Sequence, residues 1–183
     1  MERLVLKALD RCCRSSSHLA LDLVLRCNVA CFTYMELYPD RLHHDAPSWV
    51  KSRALFHIRI RVQLGERGLL DDNVISGAII RAAKSYHERG KWWCRLFLLM
   101  PDHLHAILAF PVNASMSTTV GNWKRGTARL HGCKWQTNYF DHRIRNDRES
   151  SETWTYIRRN PVVKGLCAHE RDWPWWWSGV AEN

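Results

Sequence analysis

Residues 92–110 read WWCRLFLLMPDHLHAILAF, and this stretch decides the fold. Residues 92–99 form an apolar run of strand length, and Pro101-Asp102 is a turn signal. Residues 103–110 then return as a second, mostly apolar run. Two such runs joined by a tight turn predict a β-hairpin in the middle of the chain.

Residues 56–62 lie upstream of the hairpin and alternate between apolar and polar side chains. This alternation predicts a half-buried strand. Between this strand and the hairpin, apolar side chains recur with the spacing of one helix face. Asp71 or Asp72 can cap the start of that helix, and Gly90 ends it. The segment before the hairpin is therefore predicted to be a strand followed by a helix.

Two helices and one strand are predicted after the hairpin. Ser117 can cap the first helix, residues 139–145 predict a strand, and residues 149–159 predict the last helix. That helix should stop near Asn160, because the residue before a proline is disfavoured in helical geometry. The Trp-rich tail, residues 173–177, should pack over the edge of the core. This order predicts an α+β fold, a ferredoxin-like antiparallel sheet with helices packed on it.

The N-terminal quarter of the chain differs from the rest. Residues 1–48 contain a cysteine pair and a serine run, and the sequence before Pro47 indicates a break. We expect residues 49–183 to form the domain and residues 1–48 to be an extension of it. Because Met35 lies inside this extension, we hypothesise that it is the true start and that the residues before it are an over-extended reading frame.

Positive charge is the unusual feature of the composition. The chain has 27 Lys+Arg against 18 Asp+Glu, a formal net charge of +9. Such an excess favours polyanionic partners, either nucleic acid or an anionic membrane surface. Ten tryptophans, five tyrosines and five phenylalanines add rings that can stack on unpaired bases. Together these features favour single-stranded nucleic acid.

Cysteine spacing and hydropathy exclude several classes of protein. The seven cysteines include no C-x-x-C pair, so they predict reduced thiols and not a zinc finger. The apolar stretch from Leu19 is interrupted by Asp22 and Arg26, which excludes a membrane span and the core of a signal peptide. We therefore expect a cytoplasmic protein without a membrane partner.

The second strand of the hairpin contains the pair His103 and His105. Residues two apart in a strand point to the same face, so the two imidazoles can converge on one divalent ion. Tyr156 and Asn160 are four apart and share one face of the last predicted helix. Asn160 can offer a third, oxygen ligand, and this ligand set suits Mg²⁺ or Mn²⁺. Spacing alone favours the other interpretation, in which Tyr156 is a packing residue and Asn160 ends the helix before a proline.

Four motifs follow one another between residues 100 and 175. They are MPDHLH at 100–105, WQ followed by YFDHRIR at 135–145, YIRRNPVVKGL at 156–166 and DWPW at 172–175. In sequence and order they resemble the motifs of the REP-associated tyrosine transposases, a branch of the HUH single-tyrosine transposase superfamily. One departure is an extra valine in NPVVK, which shifts Lys164 by one place.

The resemblance implies the HUH endonuclease and transposase fold, with the histidine pair on a central strand. It also implies that His103, His105 and Asn160 bind Mg²⁺ or Mn²⁺ and that Tyr156 is the nucleophile. The implied reaction is cleavage and rejoining of single-stranded DNA at hairpin repeats through a 5′-phosphotyrosine link. By the same resemblance we expect a monomer, with a dimer as the other possibility.

Five basic residues are candidate contacts for DNA phosphates, which position DNA without reading its sequence. They are Lys124, Arg125 and Arg129 on one predicted helix and Arg143 and Arg145 on one strand face. For each of them a solvated surface charge is the other interpretation.

Two other functions stay open. One is a non-catalytic, domesticated DNA-binding protein that occupies repeat hairpins. The other is a metal phosphodiesterase that uses water, with Tyr156 in a structural role. The sequence leaves the role of His142 undecided.

Overall fold

The computed structural model describes residues 54–63, 65 and 68–180. The predictions about residues 1–48 and about Met35 lie outside the described residues. Within these residues the α-helices and β-strands, in chain order, are β1 Leu55–Arg61, α1 Asn73–Glu88, β2 Trp93–Met100, β3 His103–Ala109, α2 Met116–His131, β4 Phe140–Ile144, α3 Asp147–Val163 and β5 Trp176–Trp177.

The five strands form one antiparallel sheet in the order β4-β1-β3-β2-β5. The first four strands and the two helices between them reproduce the ferredoxin-like pattern, so the predicted α+β class is confirmed. The hairpin β2–β3 lies inside the sheet, and β1 pairs with the other side of β3. Across that pair Arg59 lies opposite His105, and Arg61 lies opposite His103.

Helices cover both faces of the sheet. α1 and α2 pack on one face through a cluster that contains Ile58, Ile79, Leu104, Val120 and Trp123. α3 packs on the other face through Ile157, against a cluster that contains Leu98, Met100 and Ile107. Among the described residues, no helix combines the length and the apolar composition needed to cross a membrane.

The prediction that β1 is half-buried is wrong, because its polar face is also covered. His57 and Arg59 are only 5% and 7% exposed. Their strand lies between β3 and β4 in the sheet, and α3 lies over the same face. An alternating pattern fixes which side chains share a face, but it does not reveal whether water or a helix meets that face.

The starts of the first two helices follow capping rules. Asp72 caps α1 by accepting hydrogen bonds from the backbone N–H groups of Val74 and Ile75, as predicted. The predicted cap of α2 at Ser117 is wrong. Ser115 has the extended backbone of a cap residue, and its side chain accepts from the N–H of Thr118. Ser117 instead lies within the first turn.

The prediction that the last helix stops before Pro161 is wrong, because α3 continues to Val163. Its end is a Schellman motif, in which Gly165 adopts a left-handed φ of 69°. The N–H of Leu166 donates to the carbonyl of Pro161, and the N–H of Gly165 donates to that of Val162. These bonds satisfy the terminal carbonyls and place the helix end at the glycine and not at the proline.

The tail packs on the free edge of β2, as predicted, and also forms the short strand β5, which the sequence did not predict. The N–H of Leu99 donates to the carbonyl of Trp175, and the indole N–H of Trp173 donates to the carbonyl of Leu99, both at 2.8 Å. The guanidinium of Arg158, on α3, lies 3.6 Å from the ring centroid of Trp176. The tail therefore connects the edge of the sheet to α3.

Candidate active site

The structure brings together the four residues predicted to form the site. His103 and His105 begin β3 and face α3, and their Nε2 atoms lie 3.1 Å apart. Asn160 places its amide nitrogen 3.2 Å from the Nε2 of His105. The ring of Tyr156 meets that of His105 edge-on, with centroids 5.8 Å apart and planes at 81°. The Tyr156 ring thus meets one imidazole of the pair within one chain.

The two histidine pairs around His105 differ in geometry. Nε2 of His57 lies 2.9 Å from Nδ1 of His105, and the ring centroids are 5.2 Å apart with 29° between the planes. The distance between the centroids equals the N–N distance plus the radii of the two rings, so both nitrogens lie on the line that joins the centroids. The two rings are therefore joined end to end by a hydrogen bond and do not stack face to face. The rings of His103 and His105 have a longer N–N distance of 3.1 Å but closer centroids, at 4.9 Å. The two rings are therefore inclined to the N–N line and are not joined end to end.

Each imidazole of the pair has a polar partner at its other nitrogen. Nδ1 of His103 lies 2.6 Å from Oδ1 of Asp102. A carboxylate only accepts, so His103 donates from Nδ1 and keeps a lone pair on Nε2. His57 occupies the same position relative to His105. Metal-binding histidines usually have such a partner, which fixes the ring orientation and the tautomer.

Burial keeps the site imidazoles neutral. It lowers the pKa of His57 to about 3, and interactions with Arg59 and His142 act in the same direction. Burial also lowers the pKa of His105 well below its ordinary value, and it lowers that of His103 although Asp102 acts in the opposite direction. The hydrogen bond with His103 in turn lowers the pKa of Asp102 to about 2. Neutral imidazoles have the lone pair that metal binding needs.

The donor spacing fits a small divalent ion. Neighbouring ligands of an octahedral ion, at about 2.1 Å from it, lie about 3.0 Å apart. The two Nε2 atoms are 3.1 Å apart, and the Asn160 amide is 3.2 Å from the nearer one. Turning the amide over would place its oxygen at that point. Among the described residues, no three His, Cys, Asp or Glu side chains gather as a metal site, so the third donor would be this amide.

Sequence reasoning missed three residues of the site, His57, Arg59 and Arg61. All three lie on the face of β1 that carries the cross-strand partners of the histidine pair. Arg59 and Arg61 bring positive charge close enough to lower the pKa values of His103 and His105, although burial is the larger cause. The signal in the sequence was the polar side of the alternating strand.

The five predicted DNA contacts lie apart from this site. Lys124, Arg125 and Arg129 are on α2, on the opposite side of the sheet. Nζ of Lys124 donates to two backbone carbonyls at 2.6 and 2.8 Å, and burial lowers its pKa to about 8. Arg143 is on the edge strand β4, and Arg145 follows its end. Their role in DNA binding stays a prediction.

His142 connects the edge strand to α3. It is the cross-strand partner of His57, and its Nε2 lies 2.6 Å from a carboxylate oxygen of Glu149. Burial acts to raise the pKa of Glu149, but the hydrogen bonds from His142 and from the Arg145 N–H lower it overall. This contact lies two turns before Tyr156 and fixes the start of α3 to the sheet.

Comparison with known proteins gives two curated relatives. The REP-associated tyrosine transposase of Escherichia coli (strain K12) is 30% identical over 81 residues, which cover 43% of this chain and 49% of that protein. A Haemophilus influenzae protein provisionally given the same name is 28% identical over 95 residues, 42% of this chain and 53% of that protein. The chain therefore spans about half the length of the curated relatives it matches. No family model matches it.

Comparison of structures agrees with the sequence relatives. A solved structure of a REP-associated tyrosine transposase bound to a REP hairpin superposes with a TM-score of 0.62 at 18% identity, covering 79% of this chain and 93% of that chain. At this identity the likeness shows a shared fold. The resemblance predicted from the four motifs is thus confirmed, because curated homologues of this chain are named REP-associated tyrosine transposases and the chain has the fold of one.

Proposed function

We propose that this protein is a metal-dependent endonuclease and transposase that cleaves and rejoins single-stranded DNA at hairpin repeats through a 5′-phosphotyrosine intermediate. The observation that carries the proposal is the contact between the Tyr156 ring and the His105 ring. A tyrosine ring beside His105, with a second imidazole and an amide close by, supports a nucleophile acting next to a cation. The names of the sequence relatives, which are transposases, support the same reaction class.

His103, His105 and Asn160 would hold Mg²⁺ or Mn²⁺. Such an ion polarises a phosphate oxygen and stabilises the charge that develops on it. The protein prepares this position by burying the imidazoles in their neutral form and by giving each one a second hydrogen-bond partner. The main contribution of the chain is therefore to orient the donors and to keep them unprotonated.

Tyr156 would carry out the covalent step. Its hydroxyl oxygen bonds to the phosphorus while the bond from phosphorus to the 3′ oxygen breaks. The phenol proton is released, the leaving 3′ oxygen takes up a proton, and the 5′ phosphate stays on the tyrosine. Attack by a 3′-hydroxyl on this link reverses the step and rejoins DNA. One phosphodiester replaces another at each stage, so no nucleotide cofactor is needed.

Positive charge beside the nucleophile suits a DNA phosphate. Arg59 and Arg61 stand on β1 directly opposite the histidine pair, and Arg59 also lies 5.7 Å from the ring centroid of Phe140. Guanidinium groups bind phosphate oxygens through paired hydrogen bonds. We therefore propose that these two arginines, with the net charge of +9, attract the substrate strand. A REP hairpin is bound in the solved structure of similar fold, which supports hairpin DNA as the partner.

The test is covalent capture of DNA. Hairpin oligonucleotides with single-stranded flanks are labelled at the 3′ end and incubated with the protein and Mn²⁺, because the proposed link retains the 3′ fragment. A labelled band should then migrate with the protein on a denaturing gel. Tyr156→Phe should abolish this band, and Tyr86→Phe should retain it. Tyr86 is a suitable control because it packs among the core residues on the opposite side of the sheet.

The other two functions give different results in the same assay. A phosphodiesterase that uses water would cut the DNA without forming the band, and its Tyr156→Phe variant would still cut. A non-catalytic DNA-binding protein would retain the hairpin with equal affinity in EDTA and would cut nothing. Either pattern would contradict the proposal.

A further inference from the structure

We propose that His57 is a positioning residue that holds His105 in the orientation and tautomer needed for metal binding. This inference rests on the proposed function, since it concerns the same cation site. It adds a residue from outside the four motifs. His57 is 48 positions from His105 in the chain and lies on a different strand.

The contact is directed to the far side of the His105 ring. Nε2 of His57 meets Nδ1 of His105 at 2.9 Å, whereas the Nε2 of His105 faces His103 and Asn160. His57 is therefore not a further ligand of the same ion. When the Nε2 of His105 binds a cation, the ring proton must be on Nδ1, and His57 is placed to accept it.

The ring of His57 is itself held in place. It is 5% exposed. Phe140 and Tyr156 each meet it edge-on, with centroids at 5.8 and 6.3 Å. One imidazole thus touches a proposed ligand of the metal and the ring of the proposed nucleophile. A group confined in this way can hold His105 in one orientation at little further cost in entropy.

Asp102 provides an internal comparison. It meets Nδ1 of His103 as His57 meets Nδ1 of His105, so each imidazole of the pair has one partner behind it. The two partners differ in origin, because Asp102 is next to His103 in the chain and His57 reaches His105 across the sheet. The matching arrangement indicates that each partner orients one ligand.

Direct metal titration tests the role of His57. Mn²⁺ binding to the metal-free protein is measured by calorimetry for the wild type, His57→Leu and His57→Gln. Leucine fills part of the space without an acceptor, whereas glutamine can present an amide oxygen near the position of Nε2. We expect His57→Leu to bind Mn²⁺ about 10- to 100-fold more weakly, which is the usual loss for such a partner. His57→Gln should recover most of the affinity.

Controls separate positioning from folding. His131→Gln changes a histidine at the end of α2, on the other side of the sheet, and should leave Mn²⁺ affinity unchanged. Circular dichroism of each variant checks the fold. In the metal-free wild type, ¹⁵N NMR should find the His105 proton on Nδ1, and His57→Leu should lose this preference, which a merely structural contact does not require.

The outcomes distinguish this inference from the proposed function. If folded His57→Leu binds Mn²⁺ as tightly as the wild type, or if the His105 proton is on Nε2 in the metal-free protein, the positioning role is wrong and the metal site stands. If the wild type binds no Mn²⁺, the metal site of the proposed function is wrong and the role of His57 falls with it.

Discussion

Acid should destabilise the wild-type protein more than it destabilises the His57→Gln variant. The buried imidazole of His57 sets the expected difference in the free energy of unfolding. Burial holds the pKa of His57 at about 3 in the folded chain, against an ordinary value of 6.5. Between these values the unfolded chain binds a proton that the folded chain does not, so the free energy of unfolding falls as the pH falls. The contribution of the neutral His57 to the free energy of unfolding is fully present above the ordinary pKa of 6.5 and is lost progressively as the pH falls below it.

The expected size follows from linkage. Between pH 7 and pH 5, His57 alone should remove about 2 kcal/mol from the free energy of unfolding. Urea denaturation of metal-free wild type and His57→Gln at both pH values measures this, because the variant lacks the titrating ring. His131→Gln should follow the wild type. A gap between wild type and His57→Gln that stays constant with pH would refute the reasoning.

Three smaller predictions concern the framework, each measured by urea or thermal denaturation. Gly126→Ala, in α2, should raise the free energy of unfolding by about 0.5–1 kcal/mol, because the added Cβ meets nothing within 4 Å. Gly179→Ala should lower it, because the added Cβ would lie 2.4 Å from a backbone oxygen of β2. Equal effects of the two substitutions would contradict this. Asp72→Ala should cost about 1 kcal/mol by removing the cap of α1. Trp176→Leu should cost about 1–2 kcal/mol by removing the ring beneath Arg158; no loss would indicate that the tail is unimportant for stability.

The local parts of the site were predictable from the sequence. His103 and His105 share a face because strand side chains alternate, and Tyr156 and Asn160 share one because a helix turns every 3.6 residues. These relations need only the type of element, which the apolar pattern gives. The motifs then suggested that the two pairs meet, and the structure places them together.

The role of β1 in the site was not predictable in the same way. The position of His57 behind His105 depends on the register of β1 against β3 and on the cover that α3 provides. The alternating pattern of residues 56–62 predicts neither the register nor the cover, because it suggests that the polar face of the strand is exposed to water. The helix end was missed for a related reason. The rule for Pro161 is local, but the Schellman bonds at Gly165 and the packing of Ile157 extend the helix past it.

The way α3 is attached explains how Tyr156 can be held in a fixed position. The contact of Glu149 with His142 holds the start of the helix to β4, and Arg158 packs on Trp176 of the tail after the tyrosine. Tyr156 lies between these two points, so rotation of the helix about its own axis would break at least one of them. Because the attachments come from opposite edges of the sheet, they restrain both the rotation and the tilt of α3. The tail is thus part of the framework that holds Tyr156, although none of its residues reaches the histidine pair in the contacts of the described chain.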